Sequence, residues 1–172
     1  NFCGVMGGPV QSEQGILGGI FGGKKNNFSK CKKYLNCFCK SVFYFGNVSK
    51  ASSAKLLSNF LSLLTTTSVI EFFKSAKKLD INIKLLCDVA RLGSGNSGAL
   101  DRIADKAIKG NYKGYVFSVD NTFKDLDYIN DLVSDMPNAN NLVKIAKSFY
   151  KNASKKGYGN LLVSELIGKE KY

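Results

Sequence analysis

Between residues 50 and 79 apolar side chains return every three or four positions with few helix breakers, a spacing that predicts one long helix. At 1.5 Å per residue it is about 45 Å long, enough to join two domains. Its expected buried face carries Leu57, Phe60, Leu61, Leu64, Ile70 and Phe73. Asp80 and Asn82 end it, and helical periodicity resumes over residues 81–91, with Ile83, Leu86, Cys87 and Ala90 inward. Further helices are expected over 99–108, 119–133 and 139–155, with a short closing one over 161–167. Glycines near 93–98, 110, 114, 157 and 159, and the pair Met136-Pro137, punctuate them.

The pattern before residue 50 is different. Val5-Met6-Gly7-Gly8-Pro9 and residues 16–21 are short apolar runs closed by glycine turns, which predicts two strands. Phe28, Cys31, Leu35 and Phe38 share one face of an expected helix over residues 27–39, and Ser-Val-Phe-Tyr-Phe at 41–45 reads as a third strand. The fold class is therefore mainly α: a helical domain over residues 48–172, opened by the long helix, preceded by a small α/β segment over residues 1–47 that is the edge of a sheet. No internal repeat is present.

Composition narrows the function. The chain has 172 residues, 44% of them hydrophobic, 22% charged and only two of them proline, as in a packed globular protein. No uninterrupted apolar run approaches the roughly 18–20 residues of a spanning helix, so no membrane segment is expected. Histidine is absent, which removes Ser-His-Asp and Cys-His nucleophile pairs and every histidine metal ligand. Cys3, Cys31, Cys37, Cys39 and Cys87 are odd in number and form no CxxC pair, so they read as ordinary thiols of a reducing compartment, with no metal site and a cytoplasmic location. The net charge is +12, from 25 basic and 13 acidic residues. Arg91 and Arg102 are the only arginines, so the bidentate fork that recruits phosphates and bases is scarce, and nucleic acid is not the expected partner. A start at Asn1 without a charged flank and apolar block suggests a fragment with no signal peptide.

Two glycine patterns invite a nucleotide reading. Residues 93–98, Gly-Ser-Gly-Asn-Ser-Gly, fit G-x-G-x-x-G, but that fingerprint acts only after a strand, and here a helix is expected before it; a helix-to-helix corner using positive-φ glycines is the preferred reading. Gly18 to Lys25 nearly spells a P-loop, with Lys25 where a magnesium-binding hydroxyl belongs. Lys55 and Asn59 are four apart on the long helix, so an ammonium and an amide share one face. Spacing alone leaves them as solvated residues or as two groups on one ligand.

Their place in the chain brings in a resemblance. Val5-Met6-Gly7-Gly8, Gly15-Ile16-Leu17 and Gly22-Gly23 follow the pattern P-V-S-G-G-x-x-G-A-x-x-G-x-L and its strand; residues 46–59 carry the first glycine, lysine and asparagine of G-x-x-G-x-G-x-x-x-K-x-x-x-N; Glu71, Gly93-Ser94-Gly95 with Ser97, Phe117 and Lys124-Asp125-Leu126 follow in order. Together these segments resemble the C-terminal part of the β-hydroxyacid dehydrogenase family, which includes 3-hydroxyisobutyrate dehydrogenase and tartronate semialdehyde reductase. The resemblance covers almost the whole chain. It implies an NAD- or NADP-dependent oxidoreductase acting on a small hydroxyacid or semialdehyde. Lys55 would be the catalytic proton acceptor or donor, Asn59 would hold the substrate and orient Lys55, and Met6, Gly7 and Gly8 would bind its carboxylate. Lys124 and Phe117 would lie by the nicotinamide end of the cofactor. It further implies a homodimer or homotetramer built on the helical domain, and a Rossmann domain before residue 1 of which residues 1–47 are the last edge.

Met6 stands where the family has serine, Gly4 where it has proline, and Ser49 and Ala51 where it has glycines. The methionine bears on which substrate is used. The other reading of the same residues is a non-catalytic basic module, derived from such an enzyme, that binds a polyanion or dimerises.

Overall fold

A computed structural model describes residues 1–170 of the chain. The chain divides into two compact units, the first Asn1–Asn59 and the second from Phe60 onward.

The first unit is a three-stranded sheet with helices on both faces. β1 (Phe2–Met6) pairs antiparallel with β2 (Leu17–Gly22), which pairs in parallel with β3 (Cys39–Tyr44), in the order β1-β2-β3. A five-residue helix, α1 (Pro9–Glu13), joins β1 to β2, and α2 (Lys25–Leu35) is the crossover that a parallel pair requires. Leu17, Phe21, Cys39 and Val42 form the core under α2, which contributes Phe28, Cys31 and Leu35. Phe28 packs between Phe21 and Tyr44, with ring centroids 5.4 and 5.3 Å away. The expected helix over 27–39 thus starts earlier and stops four residues sooner: Cys39 opens β3, 2% exposed, and Phe38 lies outside the helix, 40% exposed. The helical spacing of Phe38 is continued by chance into a turn. The short α1 was not foreseen, because five residues give no period to read.

The helix α3 (Val48–Lys78) begins in the first unit and continues into the second. Its start lies on the sheet face opposite α2, where strand glycines leave room: a Cβ on Gly22 would sit 2.5 Å from the Ala51 Cβ and 2.7 Å from the Asn47 carbonyl oxygen. Asn47 Oδ1 accepts from the Lys50 N–H at 2.9 Å, in the manner of an N-cap. Farther on, Leu63, Thr66, Thr67, Val69, Ile70, Phe73 and Ala76 are buried, while Leu57 and Leu61, expected inward, are 47% and 69% exposed. Threonine explains the rotation of the face. Thr65, Thr66, Thr67 and Ser68 each donate a hydroxyl to the carbonyl four residues back, so their polar atoms are satisfied inside the helix and the threonine methyl groups count as apolar. By length and composition α3 is long and apolar enough to cross a membrane, with a mean hydropathy of 1.4 over its best window, because its Leu, Val, Ile and Phe residues outweigh the threonines and serines that interrupt every apolar run. Counting uninterrupted apolar runs had hidden this.

The second unit is all helical: the rest of α3, α4 (Ile83–Leu92), α5 (Gly98–Ala107), α6 (Val119–Leu132) and α7 (Pro137–Ala153), then a π-helical turn at Ser154–Tyr158 and a 3-10 helix at Val163–Gly168. The starts follow capping chemistry. Asn82, Ser97 and Ser118 accept backbone N–H bonds from Leu85, Leu100 and Asn121, and Pro137, expected to interrupt, is the first residue of α7, where its missing N–H costs nothing. Leu126, Ile129 and Val133 around α6 and Val143, Ala146 and Tyr150 on α7 form the centre of the core with Phe73, Leu100 and Ile103.

Tyr150 is 1% exposed, and its hydroxyl lies 2.8 Å from Thr67 Oγ1, joining α7 to α3. The single Thr67 proton goes to the Leu63 carbonyl, so Tyr150 is the donor. Burial pushes the Tyr150 phenol well up from its ordinary value. Tyr150→Phe removes one buried bond but leaves Thr67 satisfied, so the expected loss is about 0.5–1.5 kcal/mol, read as a lowered urea midpoint with unchanged slope.

Arg91 fastens α4 to α5: Nη2 donates to Asp105 Oδ1 at 2.8 Å and Nε to Asp101 Oδ1 at 3.3 Å. The hydrogen bond from Arg91, followed by its charge, holds the Asp105 carboxyl below the usual range. A depressed folded-state value means that this tie contributes above the ordinary carboxyl pKa of about 3.9 and is lost as pH falls through the folded value. An NMR titration of Asp105 in Arg91→Gln is expected to move its midpoint upward, toward that ordinary value.

Candidate active-site residues

The β1 strand and the start of α3 bring the first candidates together. Gly4 is a buried strand residue, and the space a Cβ would take there is filled by Lys55: the built atom would meet Lys55 Cδ at 2.9 Å. The aliphatic stem of Lys55 therefore lies across β1 at Gly4, two residues before Met6. Lys55 is half-buried, as is Asn59 one turn later on the same helix face.

Past Gly4 the strand ends in the loop carrying Met6, Gly7 and Gly8. Gly7 has φ +132°, and a Cβ there would meet Leu17 Cδ2 at 2.7 Å, so both conformation and space demand glycine. The Gly8 N–H, expected to bind a carboxylate, donates to Gln11 Oε1 at 2.9 Å, so an amide oxygen occupies that donor in the resting chain. Met6 faces Gly18 across the strand pair and is half-buried; its thioether offers no hydroxyl for a carboxylate. The sequence pointed to Met6, Gly7 and Gly8 but not to Gln11, since no pattern marks a glutamine that folds back on a glycine loop.

In the second unit Phe117 immediately precedes Ser118, the N-cap of α6, and Lys124 stands in the second turn of that helix. The Phe117 carbonyl accepts from the Val163 N–H at 2.9 Å, which holds the approach to α6 against the closing segment. Lys124 Nζ lies 3.6 Å from Asp125 Oδ1, with the lysine 55% exposed and its head accessible to an anionic group. Gly159 lies directly against Asp120 at the start of α6, the Asp120 N–H bonding to the Gly159 carbonyl at 3.0 Å.

The two glycine patterns fall outside any nucleotide site. Residues 93–98 join helix α4 to helix α5, and Ser97 already accepts the Leu100 N–H in the first turn of α5. The corner reading holds, but its expected reason does not: none of Gly93, Gly95 and Gly98 has positive φ. Gly18 lies within β2, and only Gly23 and Lys24 separate that strand from α2, too short a loop to encircle a phosphate. Among the described residues no group of three or more His, Cys, Asp or Glu side chains could hold a metal, and all five cysteines are free thiols.

Residues 49–168, from the first turn of α3 to the end of the closing 3-10 helix, match the family model described as NAD-binding of NADP-dependent 3-hydroxyisobutyrate dehydrogenase. The chain belongs to this family. In fold it is similar to 3-hydroxyisobutyrate dehydrogenase from Salmonella typhimurium (TM-score 0.83, 23% identity, covering 96% of this chain and 58% of that one). The Mycobacterium tuberculosis 3-hydroxyisobutyrate dehydrogenase solved with L-serine gives a TM-score of 0.82 at 22% identity, over 96% and 59% of the two chains. Among curated proteins it is similar to the cytokine-like nuclear factor N-PAC of Anopheles gambiae, 23% identical over 156 residues, covering 91% of this chain and 27% of that protein. A probable mitochondrial 3-hydroxyisobutyrate dehydrogenase of Dictyostelium discoideum is 28% identical over 92 residues, covering 54% and 29%. The chain thus spans under a third of these curated relatives and under two thirds of the solved enzymes. Membership agrees with the fold class read from the sequence, a helical domain with a small α/β segment, and with an oxidoreductase family that uses a nicotinamide dinucleotide.

Proposed function

We propose that the chain is part of an NAD- or NADP-dependent oxidoreductase that interconverts a small 3-hydroxyacid and its semialdehyde, with Lys55 as the proton acceptor and donor. The observation that supports this is the contact of Lys55 with Gly4: within a chain of this family, it lays a lysine that has Asn59 one turn later across β1, two residues before Met6. When bound, the nicotinamide supplies the hydride acceptor. Lys55 Nζ takes the substrate hydroxyl proton as the carbinol carbon becomes a carbonyl, and returns it in the reductive direction. Asn59, one turn on, orients substrate and lysine together. Gly7 and Gly8 present backbone to the substrate carboxylate, with the Gln11 amide leaving the Gly8 N–H as the carboxylate arrives. Met6 offers no hydroxyl, which leaves the Gly7 and Gly8 backbone to hold the carboxylate there. Lys124 offers its ammonium to the cofactor, and Phe117 lies at the start of the same helix.

In this reading residues 1–47 are the last edge of the nucleotide domain and residues 48–172 the helical domain, working as a homodimer or homotetramer in the cytoplasm. Leu85, Val89 and Leu92 support self-association: they form an exposed apolar stripe on α4, 62%, 68% and 91% accessible. Sedimentation of the protein purified from its own cells is expected to give a multiple of the chain mass. The same preparation, titrated with NAD and with NADP and screened against small 3-hydroxyacids, is expected to reduce one of the two cofactors. A folded preparation that reduces neither with any member of the series would count against the assignment.

A further inference from the structure

Whole-chain charge conceals how the charge is distributed. Lysine is equally frequent in the two units, with eight among residues 1–59 and fifteen among residues 60–172, so the lysine surplus by itself is a property of composition. Acids are not equally frequent. The first unit has one, Glu13, against twelve in the rest of the chain, which leaves +7 on 59 residues. Every ion pair recorded among the described residues lies in the second unit, so the lysines of the first stand without carboxylate partners.

Half of these lysines stand on one helix. Phe28, Cys31 and Leu35 hold α2 on the sheet, which turns Asn26, Lys30 and Lys33 directly outward and sets Lys25 and Lys32 on the flanks. All four lysines are exposed, as are Asn26, Ser29, Asn36 and Tyr34, the last 63% accessible. Lys24 caps the N-terminal end and lines an open cleft of about 570 Å³ with Asn27, Tyr44 and Asn47. A row of ammonium groups without carboxylate partners, two of them over the Phe28 and Tyr34 rings and all interleaved with amides and hydroxyls, matches a phosphodiester backbone, which offers evenly spaced single charges and acceptor oxygens. The outward face has no aliphatic wedge to enter a lipid surface, which separates it from the basic helices that lie on membranes. It also has no arginine, so the bidentate guanidinium fork most used on guanine is missing and the lysines act as point charges on phosphate.

We propose that the outer face of α2 is a sequence-independent docking surface for the phosphate backbone of nucleic acid, centred on Lys30 and Lys33 and flanked by Lys25 and Lys32. The surface is separate from Lys55, which lies on the opposite face of the sheet with α3. About four neutralised phosphates give a slope near −3.6 in log affinity against log salt, so raising salt fourfold should weaken binding about a hundredfold.

The test is fluorescence anisotropy of the purified protein with a labelled 20-base-pair duplex, at 50 and 200 mM salt, using two unrelated sequences. Equal affinity for both sequences and the steep salt loss are expected. Lys30→Glu/Lys33→Glu should weaken binding more than tenfold and flatten the salt slope by about two. The control is Lys144→Glu/Lys151→Glu on the exposed face of α7, which removes the same charge and should cost far less. Equal losses in the two double variants would show attraction by net charge alone and overturn the proposal. Binding to phosphatidylserine vesicles without binding to the duplex would overturn it as well. All four positions are exposed, and circular dichroism of each variant establishes that the fold is retained before binding is compared.

Discussion

Lys55→Ala is expected to lower turnover by about 10²–10⁴-fold in the intact protein, the usual contribution of a positioned acid–base group. The loss should fall on kcat and kcat/KM together, because the proton moves only in the reacting complex. Lys50→Ala, five residues earlier on α3 and exposed, is the control and should retain activity. Lys55 is half-buried and its stem rests on a strand rather than in a core, so circular dichroism and melting should change little. Unchanged turnover in Lys55→Ala would remove the assigned role. Gly4→Ala examines the same contact from below. The added methyl group meets the Lys55 side chain at 2.9 Å and the edge of the Phe2 ring at 3.1 Å, all side-chain atoms, so the side chains give way and the backbone stays. A several-fold loss of kcat with little change of stability is therefore expected, and stability loss without a kcat effect would leave Gly4 a packing residue only.

The second large effect concerns the seat of α3. Gly22→Ala places a methyl group 2.5 Å from the Ala51 Cβ, 2.7 Å from the Asn47 carbonyl oxygen and 3.0 Å from the Val48 Cα. Two of these atoms are backbone, and no side-chain rotation relieves the contact. The helix start must shift from the sheet, at a cost of about 1–3 kcal/mol. Chemical denaturation should show that loss. Because Lys55 rides on the shifted helix, turnover should fall as well, in contrast to Gly4→Ala, where stability is spared. A fully stable Gly22→Ala would mean that α3 is seated by contacts other than those at β2.

Legibility from sequence followed how strongly each element is periodic. The helices α4 to α7 lie within two residues of their expected limits because apolar residues recur along them; the caps Asn82, Ser97 and Ser118, which set the starts of α4, α5 and α6, went unread. On α3 Ile70 and Phe73 are buried as expected, whereas Leu57 and Leu61 are exposed, and Thr66 and Thr67 join the buried face because the helix absorbs their hydroxyls. Met6, Gly7, Gly8, Lys55 and Asn59 were legible only as a pattern resembling a family. Neither the contact of Lys55 with Gly4 nor the bond from Gly8 to Gln11 could be read, since each depends on pairing between segments that no local period encodes.

The Gln11 amide gives the β1 loop an internal surrogate for an incoming anion. A loop whose donor is already engaged keeps its shape when empty, so arrival of a carboxylate exchanges one acceptor for another instead of ordering a disordered segment. What the exchange gains is the difference between a neutral acceptor and a charged one, since hydrogen bonds to ionised groups are roughly twice as strong. Such a loop discriminates by charge before it discriminates by shape: a neutral ester or amide of the same size offers nothing that Gln11 does not already provide. On the proposed role of this loop, the glutamine sets a threshold that only an ionised ligand clears.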